Sequence, residues 1–136
     1  MTLSARLRRE LSPFQIFLID DEELTVETLS WILADAGFRN VHGFTNAGEA
    51  INMLRCLRPD LILTDIHMPE VDGSMLTRLV REFEHLDSIP VVAITADDRR
   101  ETAEGILSEG ANAVLVKPIT ADQLIKQVSK VHAMSF

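Results

Sequence analysis

Tyrosine is absent from this sequence, cysteine occurs once, and no apolar run is long enough to cross a bilayer. Each shortage removes a class of protein. The lone Cys56 has no second cysteine for an internal disulfide or a shared metal, which fits a reducing compartment and a small packing role for its side chain. A membrane-spanning helix needs about 18 to 20 apolar residues in succession, and the N-terminal MTLSARLRRELS lacks the apolar centre of a secretory signal. The expectation is a soluble cytoplasmic chain without membrane insertion. Positive charge is scarce as well: 13 Lys and Arg against 21 Asp and Glu leave a net charge of -8. That balance repels phosphate backbones and argues against nucleic acid as a direct partner.

The residues that are present make one domain. The chain has 136 residues, 46% hydrophobic and 25% charged, enough for one real core and too few for two. Four short apolar runs stand out: FQIFLI at 14–19, LILT at 61–64, VVAIT at 91–95 and AVLV at 113–116. They are continuous, not alternating, as strands buried on both faces of a parallel sheet are. NVHGF at 40–44 is a weaker fifth candidate. Between the runs, Leu29, Ile32, Leu33 and Ala36 repeat at helical spacing, and so do Leu76, Leu79, Val80 and Phe83. Asn46 with Glu49, Asp98 with Glu101, and Thr120 with Gln123 have capping spacing, Gly37 and Gly110 sit where helices should end, and a last helix is expected at about 120–132. Strand and helix alternate five times. Such alternation predicts an open parallel sheet with helices on both faces.

The chemistry lies at the C-terminal ends of the apolar runs. The first run ends in Asp20 and Asp21, the third candidate strand in Asp65, the fourth in Thr95, and the fifth precedes Lys117. The C-terminal ends of parallel strands share one edge, where ligand sites of open α/β sheets form. Three carboxylates gathered there repel: at about 4 Å and an effective dielectric near 20, each pair costs roughly 4 kcal/mol. One divalent cation plus the Lys117 ammonium brings their formal sum to zero, and all-oxygen ligation favours Mg²⁺ (or Mn²⁺) over zinc. A carboxylate beside such a metal, a lysine and a hydroxyl is arranged for phosphoryl transfer onto Asp65. Taken singly, each residue has a plainer reading: Asp65 as a helix cap, Thr95 as an end-of-strand hydroxyl, Lys117 as a solvated charge, and Asp20 and Asp21 as acids favouring a helix N-terminus. Their convergence on one edge separates the two readings.

The segments IDDEE, LTDIHMPEVDG, ITA at 94–96 and VKP at 116–118, with intervals of 44 residues from Asp21 to Asp65, 30 to Thr95 and 22 to Lys117, resemble the receiver domains of two-component response regulators. The resemblance covers about residues 13–134 and leaves residues 1–12 as an N-terminal extension. It implies a flavodoxin-like doubly wound (βα)5 fold with strand order 2-1-3-4-5. It also implies that Asp65 accepts a phosphoryl group from a histidine kinase or histidine phosphotransfer protein. Asp21 and Asp65 would ligate Mg²⁺ directly, Asp20 mainly through water, and His67 through its main-chain carbonyl. Lys117 would pair with the acidic cluster and then the phosphoryl group, Thr95 would shift towards that group, Ala96 would leave the approach open, and the Lys117–Pro118 bond would be cis. The domain would be a signalling switch that catalyses only its own phosphorylation and dephosphorylation. Kinase, signal and effector are left unspecified; dimerisation through the fourth helix, last strand and last helix is what the resemblance allows. The chain would be a stand-alone receiver or a piece of a longer protein.

Some positions depart from the family or carry two readings. Many receivers have an aromatic residue three before the lysine; here it is Val114. His67 stands where the resemblance gives side chains a role in phosphoryl lifetime, with a solvated loop histidine as the alternative. Pro69 should shape a turn beside Met68, and Asp72 and Gly73 should lead into the next helix. Leu24, Thr28 and Trp31 lie off the first helix's main apolar stripe, as docking residues or as packing beneath the extension, in which Leu3, Leu7 and Leu11 repeat beside three arginines. Two other functions stay open: an unphosphorylated interaction scaffold, disfavoured because all five key side chains are present, and an aspartate-nucleophile phosphatase, disfavoured because its D-x-D pattern is missing.

Overall fold

The alternation of apolar runs and helical stripes is realised in a computed structural model, which describes residues 13–68 and 72–135. The extension at 1–12 and the turn residue Pro69 lie outside the described residues. The strands are β1 (Ile16–Ile19), β2 (Val41–Phe44), β3 (Leu61–Asp65), β4 (Val91–Thr95) and β5 (Ala113–Val116). The helices are α1 (Glu23–Asp35), α2 (Ala47–Leu54), α3 (Gly73–Glu82), α4 (Arg100–Ser108) and α5 (Ala121–Met134), with a short 3-10 turn at Glu84–Leu86. All pairings are parallel, in the order β2-β1-β3-β4-β5. This is the flavodoxin-like doubly wound topology, with helices on both faces.

Side-chain alternation distributes the core. Ile16 and Leu18 of β1 point to the face covered by α1 and α5, where they meet Leu29, Leu33, Leu124 and Val128. Phe17 and Ile19 point the other way, against Ala50, Leu54, Leu76 and Val80 of α2 and α3. The central strands β1, β3 and β4 are buried throughout, whereas β2 and β5 are partly exposed edges. AVLV is therefore an edge strand rather than one buried on both faces, because its outer side has no neighbouring strand.

Local signals explain most boundaries. Asn46 accepts from the Glu49 N–H, Thr120 and Gln123 form a reciprocal capping box, and Asp72 accepts from the Met75 N–H. Gly37 and Gly110 have φ of 104° and 114°, the left-handed region that ends a helix at little cost for glycine. Two expectations fail. Asp98 caps nothing: α4 has Arg99 at its cap position, without a side-chain cap, and Asp97 is the acid that organises this loop. Cys56 is exposed and not a packing residue, because α2 delivers its last core side chain at Leu54 and the chain then turns along the surface.

Candidate functional site

Strand register assembles the polar edge. Ile19 pairs with Thr64 across β1 and β3, so the next residues, Asp20 and Asp65, lie side by side. Thr95 pairs with Val116 across β4 and β5, and the Lys117 N–H donates to the Thr95 carbonyl at 2.8 Å. The Lys117–Pro118 bond is cis. The loop after β3 folds back tightly: the Gly73 N–H donates to the Ile66 carbonyl at 2.9 Å, and a Cβ at Gly73 would stand 2.5 Å from the Asp65 carbonyl oxygen. Only glycine lets α3 start so near the end of β3.

The sequence-nominated residues meet at this edge. Asp20, Asp65 and Thr95 are buried, Asp21 is exposed, and each of the three acids offers an oxygen within 4.8 Å of the others. The Lys117 ammonium lies 3.4 Å from Asp20 Oδ2 and 3.5 Å from Asp65 Oδ2. Asp20 Oδ1 accepts from the Glu22 N–H at 2.9 Å, and Asp65 Oδ1 accepts from the His67 N–H at 3.4 Å. Burial, then repulsion from Asp20, raises the Asp65 carboxyl above its ordinary range; Lys117 and the His67 N–H oppose this and do not overcome it. Burial alone would lower the Lys117 ammonium, but the combined attraction of Asp20 and Asp65 raises it. One ammonium thus faces two of the three acids, and the deficit of positive charge makes their oxygens a fit for a hard divalent cation. Among the described residues this is the one acidic or His/Cys cluster close enough to hold an ion.

Two features of the edge have no sequence signature. The His67 ring places Nε2 3.1 Å from Thr95 Oγ1, joining the loops after β3 and β4. The Asp97 N–H donates to that same hydroxyl at 3.1 Å, while the Asp97 carboxylate accepts from the Arg99 N–H, the Arg99 guanidinium and the Thr102 hydroxyl. These bonds hold the Asp97 carboxyl well below the usual carboxylate range. Val114 is half-buried against Ile66, Ala93, Ile106 and Ala111, filling the aromatic position with a small side chain. Leu24 and Trp31 are each 73% exposed on the outer side of α1. His42 and His132 meet Phe17 and Phe14 edge to face, and His85 contacts the Leu54 carbonyl.

The response regulator receiver domain profile matches residues 16–129. The polar-differentiation response regulator DivK of Brucella anthropi is 32% identical over 116 residues, 85% of this chain and 94% of the relative. The chemotaxis response regulator CheY4 of Vibrio cholerae superposes with a TM-score of 0.81 at 26% identity, covering 86% of this chain and 97% of that one. The receiver domain of the sensor histidine kinase PA1611 from Pseudomonas aeruginosa PAO1, described with a magnesium ion coordinated in its active-site cleft, gives a TM-score of 0.79 at 27% identity over 88% of this chain and 97% of that one.

Proposed function

The chain belongs to the response regulator receiver domain family, and from that membership we propose that it is a phosphoacceptor switch with Asp65 as the acceptor. The carrying observation is the edge itself, where a buried, destabilised Asp65 carboxylate shares one ammonium with Asp20. The donor is a phosphohistidine on a histidine kinase or phosphotransfer protein. An Asp65 oxygen attacks phosphorus, the P–N bond to the histidine breaks, and the released imidazole takes up a proton. Lys117 neutralises phosphoryl oxygens, and the Thr95 hydroxyl donates a hydrogen bond to one of them. Asp20, Asp21, Asp65 and the His67 carbonyl are the residues that would hold Mg²⁺. When bound, the ion supplies charge neutralisation to the carboxylates and the transferred group.

Phosphorylation takes the acceptor from one negative charge towards about two, and this local change biases the loops after β3 and β4 and hence the partner surface. The test is intact mass after incubation with acetyl phosphate, with and without Mg²⁺. The reading expects a single Mg²⁺-dependent phosphoryl adduct on wild type and none on Asp65→Asn. An unmodified wild type would support a scaffold role, and steady phosphate release from varied phosphomonoesters would support a phosphatase.

A further inference from the structure

Thr95 is buried, and its hydroxyl is already engaged. A hydroxyl has one hydrogen to give and two lone pairs to receive. One lone pair takes the Asp97 N–H, and the His67 Nε2, 3.1 Å away, takes the hydrogen or faces the second lone pair. Register explains the approach of His67: Asp65 pairs with Ile94, and the Ile66 N–H donates to the Ile94 carbonyl at 2.9 Å, so the following residue is delivered opposite Thr95. The Asp97 side is braced by Arg99 and Thr102, whereas the His67 ring is exposed and has no comparable support among the described residues.

We infer that His67 is a positioning residue that latches the Thr95 hydroxyl in its resting place and sets how readily that hydroxyl is released to a phosphoryl group on Asp65. The inference rests on the phosphoacceptor reading and deepens it. Serving a phosphoryl oxygen requires the Thr95 hydroxyl to give up its present orientation, and the His67 contact opposes that change. In the phosphoacceptor reading the same residue would also lend its main-chain carbonyl to Mg²⁺, so one short segment would connect metal, acceptor loop and Thr95. Loss of the ring should therefore favour the phosphoryl-bound arrangement, not impair it.

The test uses the full chain with Mg²⁺ and beryllofluoride, a non-hydrolysable stand-in for the phosphoryl group, which removes any contribution from water access. Half-saturating beryllofluoride is read from the amide resonances of Thr95 and Ala96. His67→Ala should lower it by roughly three- to tenfold, the equilibrium weight of one net hydrogen bond. His67→Gln, whose amide reaches as far as Nε2, should stay within about twofold of wild type, since it keeps that bond. In a Thr95→Val background, which preserves shape and removes the hydroxyl, His67→Ala should change nothing. Equal half-saturation for wild type and His67→Ala overturns the latch, as does a glutamine variant behaving like alanine, or an undiminished His67→Ala effect in the Thr95→Val background. No adduct on wild type overturns the phosphoacceptor reading itself, and the latch with it.

Discussion

The two ends of the sheet each enlist one cation to join distant segments, and they do so in opposite ways. At the carboxyl ends, Lys117 faces two buried carboxylates at 3.4 and 3.5 Å, and the acids outnumber it. At the amino ends of β4 and β5, the Arg81 guanidinium donates to the carbonyls of Leu86, Asp87, Ile89 and Gly110 and to Asn112 Oδ1, at 2.8 to 3.3 Å. Neutral acceptors in matching geometry satisfy arginine's fixed fork. The amino-end cation is met by neutral acceptors from the chain itself, whereas at the carboxyl end the acids exceed the one ammonium beside them.

The largest effect that probes this contrast is Asp65→Asn. It should abolish the phosphoryl adduct and, in chelator, raise the urea midpoint, because it removes a buried charge that its surroundings disfavour. A lower midpoint would show that the acidic end is already balanced without metal. Arg81→Met should do the reverse. Stranding its half-buried acceptors should cost about 2–3 kcal/mol in urea unfolding while leaving the Mg²⁺-dependent adduct in place; loss of the adduct would tie the two ends together.

A smaller effect comes from pH. The folded-state Asp65 carboxyl is raised above its ordinary value of 3.8, chiefly by burial and then by Asp20. Its ionisation therefore costs folding free energy at neutral pH. That cost is relieved as pH falls through the raised value and is gone below the unfolded value. As pH falls through the raised value towards 3.8, metal-free wild type should gain stability and Asp65→Asn should not; saturating Mg²⁺ should flatten the wild-type rise. Equal slopes for wild type and variant in chelator would remove Asp65 as the cause.

The strands, the helices and the acidic edge are legible in the residues because they rest on local rules, namely continuous apolar runs, capping pairs and the polar residue after each strand, whereas the strand order is legible only through the resemblance to receiver domains. β4 and β5 fall on VVAIT and AVLV, and Asp20, Asp65, Thr95 and Lys117 converge as strand ends of a parallel sheet must. The features that sequence does not reveal depend on packing across loops. Nothing in the order of residues tells that Arg81, one charge on a polar helix face, bends into five acceptors, or that the His67 ring reaches Thr95. Asp98 is one residue short of the cap position that Arg99 occupies, and the acid that holds this loop is Asp97, through the Arg99 N–H. Cys56 resembles a core residue in the sequence only because its position relative to the end of α2 is a matter of helix length.

Asp97 supplies the smallest and most discriminating test, since it is an acid at the same edge as Asp65 with the opposite electrostatic state. Its carboxylate is satisfied by Arg99 and Thr102, and its carboxyl is held low by the hydrogen bonds from Arg99 first. The pair is exposed on the arginine side, where solvent screening leaves little net stabilisation. Asp97→Asn should therefore lower the urea midpoint in chelator slightly, opposite in sign to Asp65→Asn, and leave the phosphoryl adduct intact. If both substitutions raised the midpoint, the net negative charge of the edge would be the destabilising quantity, and the special position of Asp65 between Asp20 and Lys117 would not.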